Sequence, residues 1–96
     1  MNLVLCILAR HRVRQLFEEI IHFTQIQRYG AVGESDFVER AAREVAANRK
    51  LLRFGKLYGF TKEDFSDISH NLNFWKKDFL ERTGMSYDEN NIRREI

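Results

Sequence analysis

The chain contains no proline. Proline removes a backbone donor and clashes with the preceding turn, so its absence removes the commonest helix breaker and permits long helices. Cysteine is nearly as scarce. The single thiol, Cys6, excludes an intramolecular disulfide framework, and its apolar neighbours suit a small hydrophobe in a reducing, cytoplasmic setting. An excess of one charge is lacking too. Sixteen Lys and Arg against fourteen Asp and Glu leave a formal net charge of +2. That is too little to imply a polyanion partner, so any basic signal must come from clustering. Finally, no apolar run approaches the roughly 20 residues a membrane span needs. Residues 3–8 are apolar, but no cationic residue precedes them and no small-residue cleavage site follows, so neither a span nor a secretion signal is expected.

What is present points to one helical domain over residues 1–96. With 44% hydrophobic and 31% charged residues, the composition is that of a globular chain whose core will be thin at this length. Five glycines, Gly30, Gly33, Gly55, Gly59 and Gly84, act as punctuation, and most fall where the apolar periodicity stops.

Val13, Leu16, Phe17, Ile20, Ile21 and Phe23 recur at helical spacing and predict a first helix over about residues 3–28. A short buried strand at residues 3–8 is the alternative that period alone leaves open. Gly30 is placed to end this helix in a left-handed residue. Ser35 or Asp36 then caps a second helix running over about residues 36–58, and Asp36 with Glu39 has the spacing of a capping box. Its stripes are Val38, Ala41, Ala42, Val45 and Leu52, then Ala47, Leu51, Phe54 and Tyr58. Glu39 with Arg43, and Arg40 with Glu44, stand four apart as surface ion pairs.

Gly59 ends the second helix and Thr61 starts a third, over about residues 62–82. Asp64 completes a capping box, and Phe60 with Phe65 forms a hydrophobic staple. Phe65, Ile68, Leu72, Trp75 and Phe79 follow at spacings of three and four, a heptad-like core seam that Phe74 and Leu80 are expected to widen. Gly84 closes this helix. Ser86 with Glu89 marks a short C-terminal helix over about residues 87–94. The expected fold is all-α: three long helices in an up-down-up bundle plus that short helix.

The junction around Gly55, Gly59 and Phe60, with Phe65 and Ile68 after it, resembles the helix-turn-helix family of DNA-binding proteins. That likeness implies a nucleic-acid-binding regulator with an element spanning Gly55 to Ile68. The sequence departs from the pattern in the length of the first helix and in Glu63, Asp64 and Asp67, which would set negative charge against phosphates. Antiparallel packing of the first two helices would bring Arg10 and Arg14 to the height of Lys50, Arg53 and Lys56. Those five form a candidate anion-binding or nucleic-acid-binding end. The acidic start of the third helix arrives at the same end and would neutralise part of it.

For catalysis the sequence offers no nucleophile with a base and no metal-ligand spacing. His11, His22 and His70 lack i, i+4 partners, Cys6 has no CxxC companion, and Gly30 and Gly33 lack the strand and lysine of a phosphate loop. Neither an enzyme nor a metal or cofactor is expected. The more informative feature is length. A first helix of about 26 residues is near 39 Å and a third of about 21 is near 31 Å, so the apolar end of the first should overhang. Leu3, Leu5, Ile7 and Leu8 are therefore expected to contact another protein or a second copy of the chain, with Phe74 a further interface candidate. The expectation is a protein-binding regulator or inhibitor, with homodimerisation through the first helix as one form of that binding.

Overall fold

The computed structural model describes the backbone of residues 3–33 and 36–87, and within these the side chains from residue 13 onward. Three α-helices account for most of it: α1 (Leu3–Tyr29), α2 (Phe37–Phe54) and α3 (Lys62–Thr83). No strand occurs among the described residues, and α1 is helical from Leu3, which removes the strand alternative for residues 3–8. Of the short C-terminal helix expected over residues 87–94, only Tyr87 falls within the described residues.

The helix ends follow from local chemistry. Gly30 adopts φ +83° and its N–H donates to the Ile26 carbonyl at 2.8 Å, ending α1. Asp36 caps α2 by accepting the Glu39 N–H at 3.1 Å. The Asp36 N–H donates to the Gly33 carbonyl, while the Glu39 carboxylate accepts from Arg43 Nε at 3.0 Å.

Regular α2 stops at Phe54, four residues short of the expected end. One further turn follows. In it Gly59 takes φ +76°, its N–H donates to the Lys56 carbonyl at 3.2 Å, and the Phe60 N–H donates to the Gly55 carbonyl at 2.9 Å. This pair of bonds is a Schellman closure. The capping box of α3 is complete: Asp64 N–H donates to Thr61 Oγ1 at 3.1 Å, and Thr61 N–H donates to Asp64 Oδ2 at 2.9 Å. The Phe60 and Phe65 rings of the staple meet edge-on at 6.1 Å.

α2 is the central element. Near the α2–α3 turn, Ile21, Ala47, Leu51, Phe60 and Ile68 form one buried cluster, with Phe17, Leu52, Tyr58 and Phe65 against it. Toward the other end, Ala41, Ala42, Val45, Phe79 and Tyr87 form a second, backed by Val38, Leu72 and Trp75. The small alanines admit the large rings of Phe79 and Tyr87, which stand edge-on at 5.5 Å. All five residues of the α3 seam belong to these clusters. Phe74 and Leu80 do not widen it; both are about half exposed.

α1 lies antiparallel to α2, with Phe17 stacked on Tyr58 at 3.9 Å and Gln25 bonded to the Arg43 carbonyl. Phe17 is about four turns into α1, so the first turns of the helix project roughly 20 Å beyond the level of the α2–α3 turn.

Candidate functional site

Three surfaces carry features that the packing of the fold does not use. The first is the outer side of α1. At 100° per residue, Phe17, Ile21 and Gln25 share one face, and Val13, Leu16, Ile20 and Phe23 form a second stripe centred about 120° round the helix from it. The inward set packs on α2, with Ile21 and Gln25 buried. The outward set is open: Leu16 is 55% exposed, Ile20 50% and Phe23 60%. Their spacing of three, four and three is that of a helix-packing seam. The periodicity of residues 13–23 thus covers two faces, of which one has a partner within the described residues.

The second is a groove of about 580 Å³ over the first half of α2, where α1 and α3 stand apart. Ile26, Val32 and Trp75 supply apolar walls. The floor is a polar network. Gln25, fully buried, donates to the Arg43 carbonyl at 3.0 Å, and its Oε1 is 2.9 Å from His22 Nδ1. His22 Nε2 stands 3.4 Å from a Glu44 carboxylate oxygen. Arg43, only 5% exposed, donates to Glu39 and to the Gly30 carbonyl at 2.6 Å, and its guanidinium lies 5.9 Å from the Tyr29 ring centroid. The network therefore ties α1 and its closing loop to α2.

Two groups at this network have displaced titrations. The hydrogen bond to Glu44 raises the His22 pKa above 6.5, with burial opposing it. Burial raises Glu18 above 4.5, with Arg14 opposing. Of the two expected i, i+4 pairs, Glu39 with Arg43 forms. Glu44 turns to His22 instead, and Arg40, exposed at the groove edge, has no side-chain partner among the described residues. A histidine and a carboxylate can relay a proton, but no serine, threonine or cysteine is among the described residues that line the groove. No group of three metal-ligating side chains is assembled among the described residues.

The third surface is the basic end. Arg14 faces Asp64 and Asp67, each at 3.5 Å, and Glu18 at 3.7 Å. Its charge is compensated locally, as the acidic start of α3 suggested. Arg53 and Lys56 are exposed, Lys50 is half-buried and makes interactions of its own, and the side chain of Arg10 lies outside the described residues. α2 and α3 stay together along their length, from Gly55 beside Phe65 to Arg82 over the Phe37 ring at 5.2 Å. They form an antiparallel hairpin, whereas a helix-turn-helix crosses at about 90–120°.

Of the interface candidates, Leu3, Leu5, Ile7 and Leu8 sit in the first two turns of α1 with side chains outside the described residues. Phe74 is 56% exposed, its ring edge-on to Trp75 at 5.5 Å. No helix among the described residues is long and apolar enough to cross a membrane. Compared with known proteins, the chain matches no family model, no curated protein and no solved structure.

Proposed function

We propose that this chain is a small protein-binding module whose working surface is the outer side of α1, acting as a regulator or inhibitor by occupying a partner's surface. One observation carries the reading: Val13, Leu16, Ile20 and Phe23 stand exposed in a single stripe at helix-packing spacing, about 120° round α1 from the face that packs on α2. Apolar side chains scattered singly on a surface are ordinary, whereas a continuous stripe marks a contact surface. Residues 3–8 carry apolar sequence further along the same helix. The partner that matches such a stripe is another amphipathic helix, from a different protein or from a second copy of α1.

The test places a photo-crosslinking residue at Leu16 or Phe23 in cells, with Ser66 on the exposed side of α3 as control, alongside sedimentation of the purified chain. Protein adducts should form at the α1 positions and be lost in Ile20→Glu, with helicity unchanged. If adducts at Leu16 and Phe23 are no more frequent than at Ser66, and the chain sediments as a monomer at every concentration, the reading fails. Nucleic-acid binding through Arg10, Arg14, Lys50, Arg53 and Lys56 has less support, because Arg14 faces three carboxylates.

A further inference from the structure

Among the described residues, the groove between α1 and α3 combines a fixed polar floor, apolar walls and one cation without a partner. Its volume of about 580 Å³ lies within the roughly 300–1,000 Å³ typical of small-molecule sites. The floor needs no ligand to hold it. Gln25 is bonded at both ends of its amide, and Arg43 is fixed by Glu39 and the Gly30 carbonyl. A site pre-formed in this way loses little order on binding.

Charge decides what such a site accepts. Arg43 is compensated by Glu39, and Glu44 is engaged by His22, whose pKa it raises. Arg40 is the remaining charge in the lining, and its guanidinium has no partner among the described residues. A guanidinium fork matches a planar carboxylate with two parallel hydrogen bonds. Trp75, Ile26 and Val32 offer an apolar and aromatic surface beside it.

We infer that the groove binds a small amphiphilic carboxylate, its anionic head on Arg40 and its apolar or aromatic body against Trp75 and Ile26. His22 Nε2 stands 3.4 Å from Glu44, which raises the His22 pKa, so protonation of the imidazole offsets the carboxylate nearest the ligand's head. The inference does not depend on the α1 stripe, because the groove opens on a different side of the helix.

Trp75 is the sole tryptophan, so its fluorescence reports the groove directly. The probe is 3-phenylpropionate, titrated at neutral pH into the full chain, with neutral 3-phenylpropanol as the comparison ligand. Binding should be saturable, at least about tenfold weaker for the alcohol, and at least about tenfold weaker in Arg40→Gln. Arg53→Gln, an exposed arginine on the same helix, should bind as the unaltered protein does. Because Arg40 is exposed and unpaired, its substitution should leave the thermal midpoint unchanged, which separates lost binding from lost folding. Absence of a saturable signal through about 10 mM probe overturns the inference. Equal binding of the alcohol, equal binding by Arg40→Gln, or equal weakening by Arg53→Gln overturns it as well.

Discussion

Gly55→Ala separates two reasons for a glycine at the α2–α3 junction. Gly55 has helical angles, φ −58° and ψ −38°, so backbone conformation alone favours alanine by about 1 kcal/mol. Packing opposes it. A Cβ at this position would lie 2.5 and 2.7 Å from Phe65 Cε1 and Cζ, and 2.8 Å from Phe60 Cδ2. Those rings hold each other edge-on in the staple, and Phe60 is buried in the cluster with Leu51 and Ile68, so neither moves freely. Overpacking of this kind costs about 1–3 kcal/mol. The net expectation is a loss centred near about 1 kcal/mol, within a range of about 0–2 kcal/mol, since the cost exceeds the propensity gain in most of its range. At about 4–8 °C per kcal/mol for a domain of this size, the midpoint should fall by several degrees. Urea denaturation of Gly55→Ala, Phe65→Leu and the double variant provides the decisive cycle. Leucine removes the two closest atoms, so the double variant should be more stable than the sum of the singles predicts by about 1 kcal/mol. A Gly55→Ala protein more stable than the parent, or strictly additive effects, would refute the close-approach argument. Gly59→Ala has a different cause: nothing lies within 4 Å, but φ is +76°, so its cost should be independent of residue 65.

Stability should fall as pH rises from about 6.5, because His22 is raised by its bond to Glu44 and its contribution is complete only below its unfolded pKa. Glu18, raised by burial, acts in the same direction from about pH 4.5 upward. Urea midpoints at successive pH values should show the decline above 6.5, and His22→Gln should flatten it; an undiminished slope in that variant defeats the assignment. Arg14→Gln leaves Glu18, Asp64 and Asp67 facing one another, with an expected cost of about 1–3 kcal/mol for a partly buried pair set. No measurable loss in a denaturation midpoint would mean that these ion pairs contribute nothing. Asn48 is fully buried, donates to the Glu44 carbonyl at 2.8 Å and leaves its Oδ1 without a partner. Asn48→Ala should therefore stay within about 1 kcal/mol of the parent or exceed it, while Leu51→Ala, a turn away and equally buried, costs about 2–5 kcal/mol.

The parts of the fold legible in the sequence are those written in local chemistry. Thr61 with Asp64, Phe60 with Phe65, and the αL residues Gly30, Gly59 and Gly84 each specify a helix end through neighbours a few residues away. The α3 seam was equally plain because its five core residues share one stripe. The candidate site was harder to read, since it depends on which of two faces a helix buries. In α1, Leu16 and Ile20 are as apolar as Phe17 and Ile21, and periodicity identifies a helix without choosing the side that α2 covers. The position of Arg40 was hidden for a similar reason. Its spacing to Glu44 is that of an ion pair, but His22 arrives from another helix and takes the carboxylate. Tertiary competition of that kind leaves no local signature.

The magnitude of the α1 stripe sets a condition on any partner. Fully burying a leucine, isoleucine or phenylalanine contributes about 1.5–3 kcal/mol. Leu16, Ile20 and Phe23 already have roughly half their surface covered, and Val13 more. Covering what remains on all four contributes about 3–6 kcal/mol. Association itself costs about 4–15 kcal/mol in lost rigid-body freedom. The stripe alone is therefore at or below the threshold for a stable complex. A partner helix that continues along α1 reaches residues 3–8, where the sequence adds apolar side chains on the same element. Leu5→Glu, at the helical position that continues the stripe, should thus weaken partner binding about as strongly as Leu16→Glu and Phe23→Glu, each with its helicity intact. If only the latter two matter, the contact is too short to be held by apolar burial, and the partner's affinity must come from the polar residues beside the stripe.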